Sequence, residues 1–357
     1  MPNEAAKNRL PGLDGLRALS VLAVIFLHLY SVGSLPQTAF WSEISQHGGN
    51  GVTVFFVLSG FLITWLLLGE ESDTGRIHLG AFYARRFLRI VPPALLYLLF
   101  VRLLGALNIL PVSWSDVFQA LFFVRNFFTR GPGETIHYWS LAVEEQFYLL
   151  WPLMLLFMPR RLRLPLTALL VVFAPLWRME VFADGALPIR QMWRTDIVYD
   201  TLLIGCLLAL LRKGPRTSRW MNGRILRSPM ILIVSVAAIW IAQLPWTTTQ
   251  VGLSFGASIL NIGIAVAINY VVQGRHSPID WFLNWSPIVW IGQLSYSLYL
   301  WQEFFCYKGS GGNFPVRGFP QNVLLTFACA AISFYCIERP MARLRRRIDA
   351  PNSSSKG

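Results

Sequence analysis

Long apolar runs alternate with short polar segments along the whole chain. A helix needs about 20 apolar residues to cross a bilayer, at a rise of about 1.5 Å per residue. The runs that qualify are residues 16–35, 51–69, 89–110, 138–157, 164–182, 197–212, 229–245, 253–273, 286–306 and 321–338. This pattern predicts an all-α integral membrane protein with about ten transmembrane helices.

Two stretches depart from the simple pattern. The run 197–212 is only just long enough to cross, and the apolar stretch 116–128 is too short and carries Arg125. Polar or irregular backbone at membrane depth has to be sheltered by other parts of the protein. We therefore expect residues 116–128 to form a re-entrant or interfacial segment.

Composition supports this class. The 357 residues are 54% hydrophobic and 14% charged, and the mean hydropathy is +0.49, outside the usual range of soluble domains. A net charge of +13 would suggest nucleic-acid binding in a soluble domain. Here most basic residues lie in short segments between apolar runs, which is the pattern of topology signals, so we expect no nucleic-acid partner.

The distribution of Lys and Arg predicts the orientation. If both termini lie on one side, that side holds 22 of these residues and the other side holds seven. Such an imbalance places both termini in the cytoplasm and requires an even number of spans. Lys7 and Arg9 precede the first apolar run as in a secretory signal, but no small-residue cleavage site follows, so we expect this run to be retained as a span.

The organisation predicts one polytopic domain over residues 1–347, followed by a short, polar, disordered tail over 348–357. No internal repeat or long linker interrupts the apolar runs. The cysteines lie in or beside these runs without metal-ligand spacing or a disulfide framework, and we expect buried thiols and no metal site. They are Cys206, Cys306, Cys329 and Cys336.

Ionisable residues inside spans are candidates for function because they are costly there. The first span, LDGLRALSVLAVIFLHLY, has Asp14 and Arg17 at its cytoplasmic end and His28 deep within it. Eleven residues separate Arg17 from His28, which places them on one helix face, about 16 Å apart along the axis. The alternative is a snorkelling arginine and a histidine that only bonds a neighbouring helix.

A basic cluster follows the second span, in FYARRFLRIVPPALLYL. Arg85 and Arg89 stand one helical turn apart with Arg86 beside them. Guanidinium groups offer paired donors to phosphate oxygens, so the cluster suits a cytoplasmic polyanion. The alternative role, topology signal or lipid headgroup contact, is equally supported by this pattern.

Two further stretches carry candidates. HYWSLAVEEQFYLLWPL places His137 and Trp139 at the membrane interface, with Glu144 and Glu145 about two turns further in. Adjacent carboxylates point about 100° apart, so at most one of them faces a given partner. GGNGVTVFFVLSGFLIT contains Ser59 among glycines, and close helix packing is favoured there over a direct substrate role.

The chain resembles a known family, the integral membrane acyltransferase family 3, whose members modify surface polysaccharides, lipopolysaccharide, Nod factors and some macrolides. The resemblance runs through nearly the whole chain in ordered motifs. They are LDGLRALSVLAVIFLH, GVTVFFVLSGFLIT, FYARRFLRIVPP, HYWSLAVEEQFYLLWP, YDTLLIGCLLAL, LSYSLYLWQ and IERP.

The resemblance implies that His28 is the catalytic histidine, that Arg17 works with it, and that Glu144 is the important glutamate of its pair. It implies that Arg85, Arg86 and Arg89 help to hold the acyl donor. Asp200 and Glu338 lie in further motifs and are additional candidates.

Two positions depart from the family pattern. Thr53 stands where the family often has Asp, and Val198 stands where it often has Arg.

The function implied is O-acyl transfer, with acetyl as the default, from cytoplasmic acyl-CoA to a hydroxyl of a cell-surface carbohydrate or glycoside. Acyl-CoA would be a co-substrate and no cofactor would be permanently bound. The enzyme would lie among lipids in the bacterial inner membrane. The acceptor, the acyl length and the oligomeric state stay open here.

His28 would act as general base on the hydroxyl or, as the less favoured route, carry the acyl group. Glu144 would fix the imidazole tautomer, as the orienting acid does in catalytic triads, and meet His28 in a shared interior cavity. The alternative function is a proton-coupled transporter or flippase, in which His28 and Glu144 relay a proton. The arginine cluster favours the enzyme, because a thioester donor needs a polyanion site.

Overall fold

The computed structural model describes residues 10–128, 131–183, 193–244, 249–274, 277–307 and 315–349. Within these ranges the chain is helical and contains no strand, which confirms the all-α prediction. Most of the predicted tail, from residue 350 onward, lies outside the described residues.

The helices follow one another with short connections. In chain order they are α1 (Leu13–Ser31), α2 (Ala39–Gln46), α3 (Asn50–Thr74), α4 (Leu79–Ala106), α5 (Trp114–Leu121), α6 (Tyr138–Phe157), α7 (Arg160–Val181), α8 (Thr195–Lys213), α9 (Thr217–Met221), α10 (Arg224–Arg227), α11 (Met230–Ile241), α12 (Gln250–Val271), α13 (Pro278–Leu283), α14 (Ser286–Gln293), α15 (Ser295–Cys306), α16 (Gln321–Ser333) and α17 (Arg339–Asp349). Single 3₁₀ turns cover Arg125–Phe127, Gly133–Thr135 and Pro315–Arg317, and a π turn, Phe334–Glu338, joins α16 to α17.

Six of the described helical segments are long and apolar enough to cross a membrane, which makes this a multi-pass membrane protein. They are Leu13–Ser31, Ala39–Thr74, Leu79–Ala106, Arg160–Val181, Gln250–Val271 and Gln321–Arg345. The other four predicted runs are also helical, but they are too polar, too short or interrupted. α6 and α8 carry acidic residues within them, α11 has 12 residues, and the run 286–306 is divided into α14 and α15.

Helix boundaries differ from the apolar runs for local reasons. α1 ends at Ser31, before the predicted limit of 35, because Gly33 adopts a positive φ of 76° and the Ser34 N–H turns back to the Leu29 carbonyl at 2.9 Å. α4 begins at Leu79 rather than at residue 89. The arginine cluster therefore lies on the first turns of this helix.

The described chain forms two compact units. The first contains the described residues of 1–20, 51–75 and 154–293. In it, α3 and α8 approach to backbone contact at two glycines. A Cβ on Gly60 would lie 1.9 Å from the Leu202 carbonyl oxygen, and one on Gly205 would lie 2.1 Å from that of Val57. Close packing through small residues, as favoured from the sequence, is thus confirmed at Gly60.

The second unit contains the described residues of 21–50, 76–153 and 294–349. Buried tyrosine hydroxyls join its helices by donating to backbone carbonyls. Tyr138 on α6 donates to Ala94 of α4 at 2.8 Å, and Tyr296 on α15 donates to Ile90 of α4 at 2.8 Å. Because α4 carries prolines in this stretch, these contacts hold α6 and α15 against a helix whose own ladder is interrupted.

The stretch 116–128 does not form a long helix. α5 begins in a capping box in which Ser113 and Asp116 each bond the other's backbone N–H. Trp114, Phe118 and Phe122, one turn apart, leave more than half of each side chain exposed. Arg125, at the following 3₁₀ turn, is buried. α5 is therefore amphipathic and non-spanning in length.

We expect Gly60→Val to destabilise the first unit strongly. The added side chain would meet the Leu202 backbone, which cannot rotate away, and overpacking costs about 1–3 kcal/mol or more. Gly49→Val is the matched control from the same sequence stretch, since a Cβ there meets nothing within 4 Å. The midpoint of thermal unfolding in detergent should fall for the Gly60 variant alone, and equal midpoints would contradict this packing.

Candidate functional site

His28 occupies the last turn of α1 and meets two polar residues of α15. Its Nδ1 lies 2.5 Å from Oε1 of Gln302 and 3.8 Å from Oε2 of Glu303. Gln302 and Glu303 are buried. The ring of Tyr307 packs beside the imidazole, with 5.3 Å between ring centroids.

The orientation of the Gln302 amide fixes the tautomer of His28. Gln302 Nε2 donates to Glu303 Oε2 at 3.0 Å and points to the Tyr299 carbonyl at 3.4 Å. The amide oxygen is thereby directed at His28, and an oxygen without hydrogen can only accept. Nδ1 of His28 must carry the proton, which leaves Nε2 as the basic nitrogen.

A second imidazole lies on the other side of Glu303. Nδ1 of His137 is 3.9 Å from Oε2 of Glu303. The His137 ring is 3% exposed, and neither of its nitrogens has a hydrogen-bond partner within the part of the chain that the structure describes. Burial lowers the pKa of His137 well below its usual value, with smaller contributions from His28 and Arg125. This ring is therefore neutral at rest.

Tyrosines enclose the His137 ring. Tyr97, Tyr138 and Tyr299 lie with ring centroids 5.2, 4.8 and 5.7 Å from it. Tyr299 also hydrogen-bonds the Ser140 hydroxyl at 2.6 Å. The predicted candidate Trp139, next in the chain, is half-buried. The start of α6 is thus packed into the surroundings of His28 and Glu303.

The arginine cluster lies along the first turns of α4. Arg86 stacks over the rings of Phe82 and Tyr148, 5.6 and 5.0 Å from their centroids. It interacts electrostatically with Arg89, Glu145 and Glu144.

Glu338 belongs to the same surroundings. It accepts a short hydrogen bond from the Ser297 hydroxyl and interacts with Arg89. The second unit therefore brings this candidate to the arginine cluster.

Glu144 is half-buried on α6, within electrostatic range of Arg86 and of Tyr299. Its predicted role in orienting His28 stays a prediction. The side chains placed against the imidazole are Gln302 and Glu303, and neither was among the predicted site residues. Glu303 is an ionisable residue inside an apolar run, so the rule that selected His28 applied to it as well.

The other candidates lie in the first unit. Arg17 pairs with Asp14 on its own helix at 3.9 Å, and Ser59 is half-buried beside Gly60. Asp200 is fully buried.

Asp200 has a complete set of partners. Arg178 of α7 contacts its two carboxylate oxygens at 2.8 and 3.1 Å. Ser258 and Asn261 of α12 donate to it at 3.0 and 3.3 Å. Val198 stands where the family resemblance leads one to expect an arginine, and here Arg178 supplies a cation from another helix. The result is a buried ion pair that joins α7, α8 and α12.

Comparison with known proteins agrees with these motifs. A family model described as an acyltransferase domain matches residues 10–338. The chain is 33% identical over 358 aligned residues to O-acetyltransferase OatA of Staphylococcus aureus (strain NCTC 8325 / PS 47), covering 94% of this chain and 57% of OatA. It is 30% identical over 357 residues to the putative peptidoglycan O-acetyltransferase YrhL of Bacillus subtilis (strain 168), covering 93% and 55%.

The chain thus spans little more than half the length of these curated relatives. No solved structure matches it.

We expect Asp200→Asn to destabilise the protein by about 3–5 kcal/mol, because it leaves the buried Arg178 guanidinium without a counter-ion. Asp196→Asn is the control, since the Arg194–Asp196 pair is more than a third exposed on both sides and such pairs contribute about 0–1 kcal/mol. Thermal unfolding in detergent measures both. A stable Asp200→Asn protein without transfer activity would instead assign Asp200 a direct role in the reaction.

Proposed function

Because the chain belongs to the acyltransferase 3 family, we propose that it is a membrane-embedded O-acetyltransferase. It moves an acetyl group from cytoplasmic acetyl-CoA to a hydroxyl of a peptidoglycan-type carbohydrate. The similarity to YrhL, named a putative peptidoglycan O-acetyltransferase, supports this acceptor. The observation that carries the proposal is a buried histidine on α1 whose Nδ1 is held by Gln302 at 2.5 Å, which leaves Nε2 available as a base.

The reaction follows from this tautomer. Nε2 of His28 takes the proton of the acceptor hydroxyl while the oxygen attacks the thioester carbonyl. The carbon–sulfur bond breaks, and the imidazolium returns the proton to the leaving thiolate, giving the ester and free CoA. We favour this direct route over an acyl-histidine, because the same nitrogen can serve as base without a second transfer step.

The donor would be held by Arg85, Arg86 and Arg89. Arg85 and Arg89 share one face of the first turns of α4 with Arg86 beside them, and guanidinium groups bind phosphate oxygens through paired donors. Arg17 keeps the role beside His28 that the family resemblance implies, and Glu144 remains the important glutamate of its pair. The proton-coupled transporter alternative loses its support, since family membership and the arginine cluster both favour transfer from an anionic donor.

We further propose ten crossings of the bacterial cytoplasmic membrane, with both termini in the cytoplasm and the chain acting as a single domain. All ten apolar runs contain helix, and the family model runs without interruption from residue 10 to 338. α5 would lie at the interface, because its exposed aromatic face suits the headgroup boundary.

We expect His28→Ala to abolish O-acetylation while the protein still inserts into the membrane. A general base contributes about 10² to 10⁴ in rate, and alanine is compatible with an apolar helix. Mass spectrometry of peptidoglycan fragments, from cells lacking the gene and complemented with each variant, measures the acetyl mass. Wild-type acetylation by the mutant, at equal protein level in the membrane, would refute the proposed mechanism.

Arg85→Ala combined with Arg89→Ala should raise the apparent KM for acetyl-CoA more than it changes use of the acceptor. Phosphate contacts lie far from the reacting carbonyl and contribute mainly to donor binding. Arg76→Ala, at an exposed position before α4, is the control for loss of one positive charge. An unchanged KM in the double variant would return these arginines to a topology role.

A further inference from the structure

We propose that Glu303 is a positioning residue for the transfer reaction and that its carboxylate is shared by His28 and His137. This inference rests on the proposed function of His28 as the base. It assigns to Glu303 the orienting role that the sequence analysis gave to Glu144.

One carboxylate oxygen of Glu303 lies near three side chains. Oε2 of Glu303 lies 3.0 Å from Nε2 of Gln302, 3.8 Å from Nδ1 of His28 and 3.9 Å from Nδ1 of His137. The Glu303 side chain is 1% exposed. The first distance is a hydrogen bond, whereas the other two are too long for one and suit an electrostatic contact.

Glu303 acts on His28 in two ways. Through the hydrogen bond it holds the Gln302 amide with its oxygen toward His28, which keeps the proton on Nδ1. In its ionised form it stabilises the imidazolium that forms when Nε2 takes the hydroxyl proton. The proton passes from the hydroxyl to His28 and on to the thiolate, so Glu303 neither gains nor loses one.

Among the described residues, His28 and His137 are the groups near Glu303 that can balance a negative charge on its carboxylate. The neighbouring carboxylate Glu134, which interacts electrostatically with Glu303, has its own cation in Arg317 at 3.1 Å. A buried carboxylate is costly without a partner of opposite charge. Protonation of either imidazole would supply that partner, and His28 is the ring with the basic nitrogen assigned to the reaction.

Glu144 is placed differently. It interacts with the guanidinium of Arg86, so part of its charge is already balanced on the side of the donor arginines. Replacing Glu303 should therefore change mainly kcat, whereas replacing Glu144 should change mainly the KM for acetyl-CoA.

The test compares Glu303→Gln, Glu303→Asp and Glu144→Gln in membrane vesicles supplied with acetyl-CoA and solubilised peptidoglycan fragments, with thiol release as the readout. We expect Glu303→Gln to lower kcat about tenfold or more, as loss of an orienting carboxylate does in triads. The KM for acetyl-CoA should change less than about twofold. Glu303→Asp should recover part of kcat, because it keeps the charge.

A kcat for Glu303→Gln within about twofold of wild type would overturn the inference, and so would a large loss in Glu144→Gln alone. If Glu303→Gln does not accumulate in the membrane, Gln302→Leu replaces it. Gln302→Leu removes the amide that connects Glu303 to His28, so its kcat should also fall. Full activity of this variant would overturn the inference. His28→Ala distinguishes failure of the proposed function from failure of the Glu303 inference. An active His28→Ala variant would refute the proposed function itself. An inactive His28→Ala beside a fully active Glu303→Gln would refute only the role of Glu303.

Discussion

The pairing of buried charge is the constraint on which this structure depends. Within an apolar helix bundle in lipid, a charged group is costly unless it has a partner of opposite charge or reaches water. Glu134 is buried and meets Arg317 at 3.1 Å, and Asp200 is buried and meets Arg178 at 2.8 Å. Both pairs join permanent charges of opposite sign. Glu303 differs, because its near neighbours are imidazoles, whose charge depends on protonation.

From the sequence, candidate residues could be selected because an ionisable side chain is costly in an apolar span, but their contact partners could not be predicted. His28 and the arginines of α4 stand out because ionisable groups are rare in apolar runs. Gln302 contacts His28 across 274 positions of the chain, and no periodicity reports which helices pack together. Gln302 is the last residue of the motif LSYSLYLWQ, but the motif does not indicate that this residue contacts His28. Glu303, by contrast, could have been selected by the rule applied to His28.

For the fold, too, the sequence predicted the helices but not the contacts between them. Each of the ten apolar runs contains helix, yet hydropathy could not find the break within one of them. The run 286–306 is divided between Gln293 and Ser295. On the first of its two helices, a Cβ at Gly292 would lie 1.9 Å from the Asp14 carbonyl oxygen. Such an approach depends on a partner helix nearly 280 residues earlier, which a window of 20 residues cannot include.

An amide between the imidazole and the carboxylate has a chemical consequence. A carboxylate bonded directly to Nδ1 would stabilise the protonated ring before substrate arrives more strongly than a neutral amide does, and only the neutral ring can act as base. Gln302 instead accepts the Nδ1 proton as a neutral group, which fixes the tautomer without adding charge at that nitrogen. Glu303 accepts a hydrogen bond from Gln302, and its Oε2 lies 3.8 Å from Nδ1 of His28. Its charge therefore acts more weakly on the resting imidazole than a direct contact would, yet remains close enough to stabilise the imidazolium when the hydroxyl loses its proton.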